Sequence, residues 1–214
     1  FVTQSTGAVV IASCIVRDPL STRSPYAGPY AINLYGNVHA VNCAAWGLFD
    51  DLGIMLQKWG TAGTRTIWNC TVYGCELGIS SGSAGGYTRN AVNCISVGHT
   101  GASGFDWGGT ISTTYCMDSD GTLPASTGNV SSVTVADQFV STVAGSEDLH
   151  LKLGSDAIGA GSDLGTTAGV NFDVDGRDRD AEGDTWDMGW DQWYVAGKVA
   201  VGATWNNAAS WSPS

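Results

Sequence analysis

The sequence has few basic residues and few charged residues of any kind. Nine lysines and arginines face twenty acidic residues, and a net charge of −11 repels a phosphate backbone, so we expect no nucleic-acid partner. No apolar run reaches the roughly 18 residues that a membrane-spanning helix needs, so we expect no membrane insertion. No CxxC pair occurs, which argues against a zinc or thioredoxin-like site.

Glycine and apolar residues are abundant instead. The 214 residues include thirty glycines, and 43% are hydrophobic against 14% charged, which is typical of a globular chain rich in strands and turns. The opening stretch "FVTQSTGAVVIASC" lacks the basic start of a signal peptide, so we expect a processed product or an excised fragment.

Five short blocks, each centred on a cysteine, repeat along the first half of the chain. They are "IASCIV", "AVNCAA", "IWNCTV", "AVNCIS" and "TTYCMD", around Cys14, Cys43, Cys70, Cys94 and Cys116, at intervals of 29, 27, 24 and 22 residues. Most have an apolar residue two before the cysteine and a small apolar one two after it, which is the period of a strand. We therefore expect these residues to face inward with the cysteine: Ala12, Val41, Trp68 and Val92 before it, and Val16, Ala45 and Val72 after it.

A second register accompanies each block. Ile32, Ile54, Ile79 and Phe105 each follow a small residue, and each segment closes on glycine. Two strand columns per repeat, separated by turns of variable length, predict the coils of a parallel β-solenoid, because one coil cannot bury its inner face alone.

The residues just before the cysteines form a column of their own: Ser13, Asn42, Asn69, Asn93 and Tyr115. Asparagine tolerates the left-handed backbone of a tight bend and can hydrogen-bond along a stack of identical residues, so we interpret this column as a corner. "NCT" at Asn69 matches a glycosylation pattern, but a corner of the stack is a poor site for a sugar.

The cysteines allow two interpretations. Stacked neighbours about 4.8 Å apart lie within the Cα range of a disulfide, although parallel side-chain directions are unfavourable. We favour free thiols acting as small buried hydrophobes, which suits folding in a reducing cytosol. Cys75 lies off the column.

Three motifs follow one another in the last third of the chain: "DLHLKLGS" with "AI" and "AG" after it at residues 148–161, "DVDGRDR" at 173–179 and "DMGWDQ" at 187–192. Their order resembles the closing motifs of right-handed parallel β-helix proteins of the pectate-lyase-like superfamily. Such proteins include bacteriophage tailspike-like and structural proteins and secreted bacterial surface proteins. Asp191-Gln192 stands where those proteins usually have an acidic end.

The repeat and the resemblance together predict an all-β chain, a right-handed parallel β-helix of about five or six coils with a C-terminal cap. We assign residues 1–121 to the coils, 122–195 to the final coil and an acidic, tryptophan-rich cap, and 196–214 to a tail. Trp186, Trp190 and Trp193 are expected to seal the end of the solenoid. For Trp205 and Trp211, sealing and anchoring on a neighbouring subunit stay open.

Asp106, Asp118 and Asp120 are the candidate catalytic acids of the coils. If Asp106 stacks with Asp118 or Asp120 on one face, the two form a carboxylate pair of the kind that hydrolyses glycosidic bonds, beside the aromatic Trp107. The alternative is that they are turn acids without catalytic function, which we favour. Trp46, Trp59 and Trp107 are the candidate glycan-binding residues, as aromatics outside the inward columns.

The acidic segment at residues 173–179 offers the densest set of oxygen ligands. Asp173, Asp175 and Asp178 have a spacing that partly matches a calcium loop, but the terminal glutamate of an EF-hand is missing. Because Arg177 and Arg179 alternate with these acids, we favour an ion-paired cap without a metal or cofactor, with calcium as the alternative. The three histidines have no partner at metal-ligand spacing, and we expect structural roles for them.

The hypothesis favoured by the sequence is a non-catalytic structural or adhesive domain. The resemblance implies a bacteriophage virion component, such as a fibre, spike or capsid decoration, or a bacterial surface protein. Its expected partners are other virion or surface subunits, a homotrimer among them, and host polysaccharide; its expected location is the virion or an extracellular surface, after folding in the bacterial cytoplasm. The competing hypothesis is a polysaccharide hydrolase or lyase.

Overall fold

The fold is an all-β parallel solenoid, as predicted. A computed structural model describes residues 2–3, 9–17, 30–34, 36–47, 52–57, 63–82, 87–100, 106–166, 169–180 and 185–194. Within these ranges the one helix is a 3-10 turn, Val135–Asp137. No helix in this part of the chain has the length and apolarity to cross a bilayer.

The chain winds through three parallel sheets, and each of the first four turns gives one strand to each sheet. In chain order the strands are β1 (Val2–Thr3), β2 (Val9–Ala12), β3 (Ile15–Arg17), β4 (Tyr30–Leu34), β5 (Val38–Val41), β6 (Ala44–Trp46), β7 (Leu52–Leu56), β8 (Thr64–Trp68), β9 (Thr71–Tyr73), β10 (Leu77–Ser81), β11 (Thr88–Val92), β12 (Ile95–Val97), β13 (Trp107–Gly108) and β14 (Ser112–Thr114). Sheet A contains β1, β4, β7, β10 and β13; sheet B contains β2, β5, β8, β11 and β14; sheet C contains β3, β6, β9 and β12.

The regular part of the solenoid is shorter than predicted. Three turns, β4–β6, β7–β9 and β10–β12, have a strand of three residues or more in every sheet. The turn before them begins with a strand of two residues, and the turn after them reaches sheet C only through an isolated bridge at Met117. About three regular turns therefore stand where five or six coils were expected.

The residue before each cysteine forms the corner between sheets B and C. Ser13, Asn42, Asn69, Asn93 and Tyr115 all have a positive φ, between 49° and 54°. Asparagine adopts this left-handed conformation more readily than most residues, which explains its recurrence here. The predicted corner is confirmed.

The cysteines that follow these corners stack in one column. The carbonyl of each cysteine accepts the N–H of the residue after the next cysteine at 2.9 Å, from Cys14 up to Cys94, and Cys116 continues the series to Val130 at 2.8 Å. Cys43, Cys70, Cys94 and Cys116 are fully buried, and all six cysteines are free thiols. The structure therefore agrees with the free-thiol interpretation.

The side-chain alternation changes phase at the corner, which the sequence analysis missed. The core inside the solenoid contains the residues three before the cysteines: Ile11, Ala40, Ile67 and Ala91. Val41 and Trp68, two before their cysteines and predicted to face inward, belong to a separate cluster with Val170 and Trp186. A left-handed residue bends the chain from sheet B into sheet C, so the period of two does not continue through it. The inward positions after the cysteine, Val16, Ala45 and Val72, are confirmed.

Sheet A contains the second predicted column. Ile32 pairs with Ile54, and Ile54 with Ile79, in register across three turns. In the next turn Trp107 is the partner of Ile79, whereas Phe105 lies outside the described residues. The bulkiest member of this column is therefore at the far end of the stack.

The outer face of sheet C is covered by the C-terminal third of the chain. A hairpin of β15 (Phe139–Ser141) and β16 (Asp148–Leu151) packs there together with the cap, which we define as residues 157–166, 169–180 and 185–194. The cluster joins Ala44, Trp46, Ile95, Val97 and Met117 of the solenoid with Phe139, Leu149, Leu151, Ala157, Met188 and Trp190. The tryptophans were expected to seal the end of the solenoid, but Trp186 and Trp190 cover its flank.

The asparagine column is the seam between the solenoid and the cap. The Nδ2 group of Asn42 donates to the carbonyl of Phe172 at 2.5 Å, that of Asn69 to Val170 at 2.7 Å and that of Asn93 to Ser162 at 2.7 Å. These side chains were expected to bond along their own stack; each one bonds the cap instead. Asn69 is fully buried in this seam, which supports the view that its "NCT" pattern is no sugar site.

Candidate functional site

The three candidate acids of the coils lie close together in the structure, but their carboxylates accept hydrogen bonds that stabilise turns. Asp106 Oδ2 accepts hydrogen bonds from the N–H of Ser119 at 2.5 Å, the hydroxyl of Ser119 at 2.6 Å and the N–H of Asp120 at 3.1 Å. In return, the N–H of Asp106 donates to Asp120 Oδ2 at 3.0 Å. The Asp106 side chain is only 1% exposed.

Asp118 has the same kind of role one turn further on. Its Oδ1 accepts the hydroxyl of Ser131 at 2.6 Å and the N–H of Ser132 at 2.8 Å, and its Oδ2 accepts the N–H of Leu123 at 2.6 Å. The residue is fully buried. Both oxygens are therefore committed to backbone and hydroxyl donors that shape the loop.

The pKa values of Asp106 and Asp120 move in opposite directions. Burial raises the pKa of Asp106 to about 6, against the lowering effect of the Ser119 donors. For Asp120, burial opposes the shift, but donors from Thr122 and from the N–H of Asp106 outweigh it and lower the pKa. Two carboxyls with separated pKa values are what acid–base catalysis uses, although here one of them is closed to substrate.

Ser96, His99 and Asp106 resemble a nucleophile, a base and an acid, yet their hydrogen bonds exclude that role. His99 Nδ1 accepts the N–H of Cys75 at 3.1 Å, so the ring proton of the neutral imidazole is on Nε2. Nε2 lies 3.1 Å from Ser96 Oγ, and that hydroxyl donates to the carbonyl of Asp106 at 2.5 Å. His99 therefore donates towards Ser96 and cannot take its proton, and burial lowers the pKa of His99 to about 4.

Two of the three predicted sugar-binding tryptophans are in the interior. Trp107 is 6% exposed and its indole N–H donates to the carbonyl of Met117 at 3.1 Å. Trp46 is 7% exposed and meets Trp190 of the cap edge to face, with ring centroids 5.7 Å apart. Neither ring has the free face that sugar stacking requires. Trp59 lies outside the described residues.

The calcium candidates occupy a tight turn of the cap. Asp173 Oδ1 accepts the N–H of Asp175 at 2.9 Å and the N–H of Arg177 at 2.8 Å. Asp178 Oδ1 accepts the N–H of Asp180 at 3.0 Å, and Arg177 pairs with Asp175 Oδ2 at 3.1 Å. The turn is thus braced by its own backbone, and the three carboxylates do not form one set of calcium ligands in the described residues.

Arg179 is the centre of the cap. Its guanidinium donates to the carbonyls of Asp187 at 3.2 Å, Gly189 at 2.9 Å and Asp191 at 3.4 Å, and it also reaches Gln192 Oε1 at 3.3 Å. The side chain is almost fully buried, and burial lowers its pKa. The motif arginine therefore organises the loop at 187–192 mainly through main-chain oxygens.

His150 is the titratable group that the sequence interpretation undervalued. Hydrogen bonding with Asp175, more than that with Asp148, raises the pKa of His150 to about 9, against the effect of burial. Burial raises the pKa of Asp191 to about 7 and that of Asp173 to about 6. The sequence interpretation missed this group because the histidine lies in one closing motif and the acids lie in the other two, and they come together only when the cap packs against the hairpin.

A pair of arginines in sheet B was missed as well. Arg65 and Arg89 are in register on neighbouring turns, each five residues before its cysteine. Both are buried, and the guanidinium carbons lie 4.3 Å and 5.6 Å from the ring centroid of Tyr87. The equal spacing from Cys70 and Cys94 is the signal that could have revealed this pair.

Comparisons with known proteins do not add a relative: no family model, curated protein or solved structure matches the chain.

Proposed function

We propose that the chain is a non-catalytic structural domain of the parallel β-helix class, and that it serves in a bacteriophage virion component such as a fibre, spike or capsid decoration. The observation that carries the proposal is the state of the candidate acids. Asp106 and Asp118, the residues best placed for chemistry on the coils, are buried and bonded to the backbone of neighbouring turns.

The cysteine column and the closing motifs support the same proposal. Free, buried thiols suit a protein that folds in a reducing cytosol before it is assembled. The order of the three motifs resembles that of phage and bacterial surface β-helices, and apolar residues of these motifs cover the flank of this solenoid. An adhesive role for the domain rests on surfaces other than Trp46 and Trp107, because both rings are buried.

One observation favours the runner-up, a polysaccharide hydrolase. Asp106 and Asp120 are hydrogen-bonded neighbours whose pKa values are shifted apart, as those of an acid and a nucleophile or base are. Against it, the carboxyl with the raised pKa is the buried one.

The two functions are separated by incubating the protein with capsule and lipopolysaccharide preparations and measuring polysaccharide length by size-exclusion chromatography. We expect no shortening by the wild-type chain. The proposal would be overturned by shortening that is lost in Asp120→Asn and retained in Asp137→Asn, an exposed control acid from the 3-10 turn.

Assembly is tested on the same sample. Light scattering during size-exclusion chromatography is expected to give the mass of three chains, as the resemblance to phage β-helices implies. A single-chain mass at all concentrations would contradict the homotrimer.

A further inference from the structure

A histidine of the hairpin and two aspartates of the cap, from three separate segments, meet where the hairpin and the cap join. β16 supplies His150, the turn after Asp173 supplies Asp175, and the loop that closes the cap supplies Asp191. One possible ligand atom from each of the three residues lies within 4.8 Å of the other two.

Backbone hydrogen bonds fix the three segments relative to one another. The N–H of Leu151, next to His150, donates to Asp191 Oδ2 at 2.7 Å. The N–H of Val174, next to Asp175, donates to the carbonyl of Trp190 at 3.0 Å. These bonds join β16 and the acidic turn to the loop that contains Asp191. The backbone therefore sets the positions of the three ligand residues.

The imidazole of His150 is oriented as a metal ligand would be. Its Nδ1 lies 2.6 Å from Asp148 Oδ1, while Nε2 lies 3.7 Å from Asp175 Oδ1. Histidines that bind metals commonly donate the other ring N–H to a carboxylate, which fixes the tautomer and leaves one nitrogen lone pair for the ion. The ring of Trp190, 5.9 Å from that of His150, limits its rotation.

Two buried carboxylate oxygens at this place have no hydrogen-bond partner. They are Asp191 Oδ1 and Asp173 Oδ2, on residues that are each 3% exposed. Buried polar atoms in native proteins almost always have a partner, and Asp191 Oδ1 belongs to the group of His150, Asp175 and Asp191, so this oxygen is available to bind a cation there.

The charged groups around His150, Asp175 and Asp191 favour the binding of a divalent cation. Asp173, Asp175 and Asp191 interact with the guanidinium groups of Arg177 and Arg179, and Asp148 adds a fourth carboxylate beside His150. A bound ion requires a neutral imidazole, and in that state four carboxylates against two guanidinium groups leave two negative charges for the ion to balance. The side chains of His150 and Asp175 are 42% and 36% exposed, so an ion can enter from solvent and keep water in its remaining positions.

We propose that His150 Nε2, Asp175 and Asp191 bind one divalent transition-metal ion of the zinc class, with Asp148 as the outer carboxylate that orients the histidine. An imidazole nitrogen with two carboxylates suits Zn²⁺ or Co²⁺, whereas calcium and magnesium prefer sites made of oxygen alone. The ion links β16, the acidic turn and the last loop of the cap, and so fastens the cap to the hairpin.

The test is metal binding by the whole chain, with Zn²⁺ in calorimetric titration and Co²⁺ as a spectroscopic probe. We expect one ion per chain, a visible Co²⁺ spectrum with nitrogen and oxygen ligands, and a rise in Tm of about 5 °C at saturating Zn²⁺. His150→Gln and Asp191→Asn should each lower the affinity at least about tenfold. Asp178→Asn, which alters an acid of the same cap outside the group, should bind like the wild type.

Circular dichroism and tryptophan fluorescence show whether each variant is folded, and His150→Gln serves if Asp191→Asn is not. The proposal is overturned if the folded wild-type chain takes up neither ion at millimolar concentration. It is equally overturned if His150→Gln binds both ions as tightly as Asp178→Asn does.

Discussion

The solenoid and the cap are held together by different kinds of contact. In the solenoid, backbone groups pair in register from turn to turn, and the interior is filled by cysteine, isoleucine, alanine and valine. In the cap, side chains bond main-chain groups: Arg179 reaches three carbonyls, and Asp173 and Asp187 accept backbone N–H groups. The contacts of a solenoid turn recur in the next turn, whereas each contact of the cap occurs once.

This difference predicts unequal tolerance to mutation. Loss of one inward side chain from the solenoid leaves the backbone ladder in place, so its cost is that of a cavity. Loss of a central side chain from the cap leaves several buried groups without partners, which costs more.

Arg179→Met should give the largest effect. It leaves the carbonyls of Asp187 and Gly189 unsatisfied and removes the positive charge next to buried acids, so we expect a loss of about 3–5 kcal/mol in the free energy of unfolding. Arg177→Met is the matched control, because that arginine is half exposed, and it should cost less than about 1 kcal/mol. Equal losses in urea unfolding would remove the distinction between the two arginines.

A pH effect of similar size is expected inside the solenoid. The pKa of His99 is lowered from 6.5 to about 4, so below pH 6.5 the unfolded chain takes up a proton that the folded chain refuses. Stability should therefore fall as the pH drops from 6.5 to 4, by about 3 kcal/mol for this group. His99→Asn keeps an acceptor for the N–H of Cys75 and should lack this loss.

Asp106 acts in the opposite direction over part of the same range. Its folded pKa of about 6 is above the ordinary 3.8, so its contribution grows as the pH falls through 6. Because Asp106 is present in both proteins, the difference between the wild type and His99→Asn isolates the histidine. If the two proteins had parallel stability curves between pH 6.5 and 4, His99 would not be a buried neutral base.

Two variants at Asn69 distinguish the cost of backbone strain from the cost of losing contact with the cap. Asn69→Ala places alanine at a φ of 50° and loses the bond to Val170, so we expect a loss of about 2–3 kcal/mol. Asn69→Gly adopts that φ freely, so its loss should be smaller, about 1 kcal/mol.

Ser13 provides the control for this pair of variants. It has a φ of 52° but is exposed on the first turn, so Ser13→Gly should leave the urea midpoint nearly unchanged. If Asn69→Gly behaved like Ser13→Gly, the seam would contribute nothing to stability.

The smallest effect on stability is expected when a thiol reagent modifies Cys14. Cys14 is partly exposed, whereas Cys70 and Cys94 are fully buried and burial raises their pKa values. A thiol reagent should therefore modify Cys14 alone in the folded chain and all six cysteines after denaturation without reductant. A count near zero after denaturation would mean that the thiols are paired.

The sequence predicted what repeats and missed what depends on the cap. The cysteine intervals identified the column, and the residues before the cysteines identified the corner, because a left-handed position favours asparagine in every turn. The phase change that turns Val41 and Trp68 outward has no signal in a period of two. The grouping of His150 with Asp175 and Asp191 depends on how three distant motifs pack, and spacing along one segment does not contain that information.

The cysteine column is the feature on which the single solenoid depends most directly. An anomalous-scattering map from a crystal of the native chain locates every sulfur atom without reference to a model. It should show the sulfurs of Cys14, Cys43, Cys70, Cys94 and Cys116 in one interior row, with neighbours about 4.8 Å apart. Sulfur positions scattered over separate sheets, or paired at bonding distance, would contradict a single solenoid with free thiols along its axis.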